Sequence, residues 1–118
     1  MPARNEQQKT IDHSWQDLMY KLKPRFNRKP DIQSMLFLIG VQELGVISRE
    51  FTKEEKQDLM HIAVCRLLCF NNVYEFDYRD DEGWPHFKQL KEHPKLSLTE
   101  QEYMFKDLIL KYFKEKES

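Results

Sequence analysis

Pro30-Asp31-Ile32-Gln33-Ser34-Met35-Leu36-Phe37-Leu38-Ile39-Gly40-Val41-Gln42-Glu43-Leu44-Gly45 decides the fold class. Its seven-residue apolar run, Met35 to Val41, fits a buried strand or a buried helix, because periodicity does not separate the two. The flanks favour helix. Pro30-Asp31 supplies a start with a capping carboxylate, Gly45 supplies a left-handed stop, and the stretch between them is long and poor in β-branching. At 100° per residue its apolar side chains point almost all round, so neighbouring elements or a partner subunit must enclose it.

Working outward, Thr52-Lys53-Glu54-Glu55 fits a capping box that opens a second helix. Its buried half, Leu59 to Phe70, carries only Arg66 as a fixed charge and ends at Asn71-Asn72. Upstream, Trp15, Leu18, Met19 and Leu22 predict a helix over about 13–22, with Asp12 or Ser14 as N-cap and Pro24 as the stop. Residues 1–11 read as a flexible polar tail. Downstream, Val73-Tyr74-Glu75-Phe76-Asp77-Tyr78 alternates apolar with acidic, as a half-exposed strand does. A turn at Asp80 to Gly83 leads to Trp84-Pro85-His86-Phe87-Lys88, which Pro85 restricts to an edge. Thr99-Glu100-Gln101-Glu102 predicts the cap of the last helix. The expected fold is mainly α: a single small domain over 12–118, of about four helices, with a short two-stranded β-hairpin between the third and fourth.

Composition removes several function classes. The 19 Lys and Arg against 20 Asp and Glu leave a net charge of -1, so affinity for nucleic acid or anionic lipid has to be local. Three glycines, Gly40, Gly45 and Gly83, cannot assemble a phosphate-binding loop. The opening residues hold no signal-type apolar stretch, and Met35 to Val41 is far short of a bilayer span, so a cytoplasmic protein without membrane contact is expected.

His61, Cys65 and Cys69 fall at i, i+4 and i+8, one stripe of a helix. A structural zinc site needs four ligands, and a catalytic thiol needs a cleft with oxyanion donors; core packing of the two cysteines is the simpler reading. No metal, cofactor or catalytic residue is expected. The acids Glu75, Asp77, Asp80, Asp81 and Glu82 do not reproduce a calcium-loop spacing and read as a solvated strand edge. Lys21, Lys23, Arg25, Arg28 and Lys29 interleave with Tyr20 and Phe26, the mix that phosphates and stacked bases exploit. Placed in a loop of a near-neutral domain, such cations ordinarily serve solubility. Trp84 is core or interface anchor, with His86 at its rim.

Phe37-Leu38-Ile39-Gly40-Val41-Gln42-Glu43-Leu44-Gly45, the capped helix through Leu67-Leu68, Tyr74-Glu75-Phe76 and Gly83-Trp84-Pro85-His86 resemble a family of small uncharacterised bacterial proteins found in Bacteroidota. The resemblance spans about residues 31–90; it implies no activity and carries no catalytic residues across. The leading functional expectation is a non-enzymatic interaction or adaptor domain. Its partner would be another protein or a second copy, the homodimer forming through the all-round apolar helices 32–44 and 59–70. Nucleic-acid binding through residues 21–29 is the alternative, and a thiol- or metal-dependent enzyme using His61 and Cys65 stands third.

Overall fold

A computed structural model of the chain describes residues 4–26, 28–46 and 49–117. The described elements are α1 (Glu6–Phe26), α2 (Ile32–Leu44), α3 (Lys53–Leu68), β1 (Tyr74–Arg79), β2 (Pro85–Gln89) and α4 (Leu98–Glu117). The chain is thus mainly α, with a two-stranded antiparallel hairpin between α3 and α4. Its contacts form two compact units, one of Met1–Ile32 with Lys95–Ser118 and one of Gln33–Pro94. Among the described residues no helix is long and apolar enough to cross a membrane.

In the first unit α1 is longer at both ends than its apolar spacing predicts. Asn5 and Gln8 form a reciprocal cap: Gln8 N–H donates to Asn5 Oδ1 at 2.7 Å and Asn5 N–H to Gln8 Oε1 at 3.2 Å. Residues 6–11 are therefore helical rather than tail, and Ile11 is buried. Pro24 does not stop the helix; it sits in the last turn, where only Arg25 and Phe26 follow and few bonds depend on the missing N–H. Ile11, Trp15, Leu18, Met19 and Leu22 make the buried stripe. The Tyr103 hydroxyl donates to Asp12 at 2.8 Å, and Lys106 lies 3.8 Å from the same carboxylate. Further along, Lys21 shares a groove with Lys114 and Glu117, so α1 and α4 run in the same direction.

Helix α4 begins two residues earlier than Thr99 as N-cap allows. Ser97 is the cap: Glu100 N–H donates to Ser97 Oγ at 3.1 Å and Ser97 N–H to Glu100 Oε1 at 3.0 Å. Leu108, Ile109 and Tyr112 are its buried residues.

In the second unit the capping box at Thr52 and Glu55 is present as the sequence predicts, and Gly45 closes α2 with φ +85°. Beyond Leu68, α3 unwinds through a Schellman closure. Val73 N–H reaches Leu68 O at 3.0 Å, Asn72 N–H reaches Cys69 O at 3.1 Å, and Asn72 takes φ 60°. That closure turns the chain into β1. Both strands contact α3, and Pro85 occupies the first position of β2, where its missing N–H does least harm.

The hairpin register explains an exposure that alternation does not. Phe76 pairs with Phe87 and Tyr78 with His86, so Asp77 is an extra residue between them. Phe87 and His86 are adjacent on β2 and point to opposite faces; the bulge therefore sends Phe76 and Tyr78, two residues apart, to opposite sides of the hairpin. Both stand largely in solvent instead of forming one half-buried face.

Candidate functional site

The hairpin presents two aromatic pairs, one on each face. On one side the Phe76 and Phe87 rings meet edge to face at 6.1 Å; on the other, Tyr78 and His86 stack at 4.5 Å with planes 3° apart. The Phe76 side opens onto a groove of about 560 Å³. Tyr74, Pro85, Phe87 and Leu90 line it from the hairpin side, and Arg66 and Cys69 from the end of α3. Phe76 is 54 % exposed and Leu90 47 %. Arg79 fixes one end: its guanidinium donates to Gly83 O and to Glu43 O, both at 2.8 Å. Arg66 lies 3.4 Å from the Glu43 carboxylate, giving the rim both signs of charge.

The apolar side chains of α2 and α3 are buried or half-buried. Met35, Ile39, Gly40 and Leu44 of α2 are buried, as are Leu59, Ile62, Ala63, Cys65, Leu67 and Leu68 of α3. Leu36, Phe37, Leu38 and Val41 are half-buried. Among the described residues the exposed large apolar side chains of this unit are Phe76, Tyr78 and Leu90, all on or beside the hairpin. Helices α2 and α3 approach closely at one point, where Gly40 lies against the backbone of Leu59.

Trp84 and His86 come together in a second cleft, of about 440 Å³, with His61 and Asp58 from α3 and Asp80 and Glu82 from the turn. Trp84 is half-buried and His86 exposed. Asp80 organises this turn: its Oδ1 accepts from Glu82 N–H and Trp84 N–H, both at 3.0 Å, while Oδ2 meets His86 Nε2 at 3.0 Å. The hydrogen bond with His86 and the two N–H groups hold the Asp80 carboxyl below its ordinary range. The acidic run is thus partly a scaffold for the β-turn.

Cys65 is buried and Cys69 half-buried, and both are free thiols. His61 Nε2 lies 3.6 Å from Cys65 Sγ. Burial nevertheless pushes the Cys65 thiol up to about 11, the opposite of what a nucleophile needs, and pushes Cys69 up as well. Among the described residues no three His, Cys, Asp or Glu side chains converge to hold a metal ion.

The basic segment is not a loop throughout. Lys21 and Lys23 are exposed on α1, Arg28 and Lys29 are exposed just beyond it, and the Arg25 side chain lies outside the described residues. Lys21 lines a groove of about 460 Å³ in the first unit together with Lys111 and Lys114 of α4. These two lysines were visible in the sequence only as helix-terminal charges; their proximity to Lys21 follows from the parallel course of α1 and α4. Comparison of the chain with protein-family models, curated proteins and solved structures gives no match.

Proposed function

We propose that this chain is a non-enzymatic interaction module that self-associates through the Phe76 face of its hairpin, within the cytoplasm. The observation that carries the reading is exposed Phe76, set edge to face on half-buried Phe87, with exposed Leu90 beside an open groove. A two-stranded hairpin depends on packing for its stability, and α3 leaves Phe76 and Leu90 uncovered, so a partner over them would stabilise it further. Edge-to-edge pairing is disfavoured on both strands, by the bulge at Asp77 on β1 and by Pro85 on β2, which leaves the faces for association. A self-complementary apolar patch suits a second copy related by a two-fold axis, and the Arg66–Glu43 pair within each chain leaves the rim without a strong excess of one charge. The free thiols of Cys65 and Cys69 fit a reducing compartment.

Light scattering coupled to size exclusion, run over a concentration series, tests the proposal. A mass moving from 14.4 kDa toward twice that value is expected for the native chain. Phe76→Ser with Leu90→Ser, both solvent-facing changes, should hold the mass at the monomer value. A native mass fixed at the monomer value throughout the micromolar range overturns it.

A further inference from the structure

The exposed end of α1 carries a second surface, independent of the hairpin. Gln16, Tyr20 and Lys23 recur at i, i+4 and i+7 on a solvent-facing side of α1, and all three are exposed. Lys29 donates to Gln16 Oε1 at 3.4 Å, so the chain after the helix folds back and sets a further ammonium group one turn before Tyr20. Tyr20 is 74 % exposed and makes no hydrogen bond or ring contact among the described residues. Around the helix from it, Lys21 faces Lys111 and Lys114 across the groove, with Asp17, Asp107 and Glu117 also on the walls. Asp17 lies 3.8 Å from His13, and Asp107 pairs with Lys111 at 3.4 Å. Between Asp17 and Asp31 the chain carries five cations and no acid.

The two units differ in charge sign. The unit of Met1–Ile32 and Lys95–Ser118 holds twelve Lys and Arg against nine Asp and Glu, whereas Gln33–Pro94 holds seven against eleven. The near-neutral total conceals a local positive field on the unit that bears Tyr20. A largely exposed phenol ring flanked by Lys23 and Lys29 combines a stacking platform with two phosphate contacts about one helical turn away on either side. Duplex bases are already stacked and leave no face for the ring; a single strand offers one at every nucleotide.

We propose that Tyr20, Lys21, Lys23, Arg28 and Lys29 form a binding surface for single-stranded nucleic acid, with an unpaired base stacked on Tyr20 and the phosphates on the surrounding cations. Fluorescence anisotropy of a labelled oligothymidylate or oligouridylate of about 15 nucleotides, titrated with the full chain across a salt series, is the test. Binding at low salt is expected to weaken linearly in log–log form as salt rises. Replacing Lys21, Lys23, Arg28 and Lys29 together by Gln should flatten that slope by about 3, at about 0.7 per lost phosphate contact. Tyr20→Ala should weaken binding about ten-fold without changing the slope, and Tyr20→Phe should restore it. The changed side chains are exposed, and an unaltered circular dichroism spectrum checks that the helices persist. No binding at low salt overturns the proposal. So does binding that is equal for duplex, or for anionic phospholipid vesicles, and indifferent to Tyr20→Ala.

Discussion

Gly40 of α2 lies against the backbone of Leu59 in α3 so closely that a Cβ built on it would stand 2.2 Å from the Leu59 carbonyl oxygen and 2.9 Å from its Cβ. The opposing atoms belong to backbone and to a fully buried residue, so neither can swing aside. Gly40→Ala should gain up to about 1 kcal/mol of helix propensity. Overpacking of about 2 to 3 kcal/mol is expected to outweigh that gain as the two helices are forced apart. A lowered urea midpoint at unchanged slope is the expected outcome; an equal or higher midpoint would show that the helices separate freely.

The N-terminal cap of α4 offers a comparison between two neighbouring hydroxyls. Ser97 exchanges hydrogen bonds with Glu100, while Thr99 lies inside the first turn. Ser97→Ala should cost about 1 kcal/mol in thermal or chemical unfolding, the usual cost of a lost cap. Thr99→Ala should fall within about 0.5 kcal/mol of the native chain, as surface changes generally do. The reverse ranking would move the cap to the position that the motif Thr99-x-x-Glu102 suggests.

What the sequence made legible was whatever depends on short-range chemistry. Thr52 with Glu55 and the positive φ of Gly45 need only their immediate neighbours, so both ends of α2 and the start of α3 fall as expected, whereas α3 ends at Leu68, short of the expected Phe70. The start of α1 escaped because Asn5 and Gln8 replace the more familiar hydroxyl and carboxylate, and the first turn adds no apolar residue before Ile11. At α4 two overlapping motifs compete, and the pattern alone does not rank them. Alternation in β1 could not reveal that Asp77 is a bulge, because the extra residue exists only relative to Phe87 and His86. The candidate surfaces depend on such long-range facts. Phe76 looks like core until its strand register is known, and Lys21 gains Lys111 and Lys114 as neighbours only when α1 and α4 lie side by side.

Acid should loosen the hairpin turn in a defined direction. Asp80 titrates below its ordinary value of 3.8 in the folded chain, chiefly because His86 hydrogen-bonds its carboxylate. A carboxyl with a depressed native pKa stabilises the fold above its unfolded pKa and loses that contribution as pH falls through the native one. The window therefore opens near pH 3.8 and extends below it. Glu55 and Glu100 are lowered too, each first by the backbone N–H it caps, so several carboxylates share the acid limb. Melting temperatures between about pH 6 and pH 2 should fall less steeply for Asp80→Asn than for the native chain. Parallel acid limbs would mean that His86 and the turn N–H groups do not distinguish the charged carboxylate from its neutral form.

The thiol of Cys65 should be slow toward electrophiles even though an imidazole sits 3.6 Å away. Burial, joined by the nearby Cys69, raises it to about 11, while its hydrogen bond with Tyr74 opposes the rise. At pH 8 only about one molecule in a thousand would carry the reactive thiolate. An aromatic disulfide reagent should therefore label native Cys65 far more slowly than the same residue in urea, with a rate that climbs toward pH 11. Cys69, half-buried and also raised, should lie between these limits. The informative variant is His61→Gln. If desolvation governs Cys65, removing the imidazole leaves the labelling rate within about two-fold, whereas a His-activated thiolate would slow by an order of magnitude or more. Rapid native labelling that disappears in His61→Gln would assign the pair a chemical role and would count against a purely packed thiol.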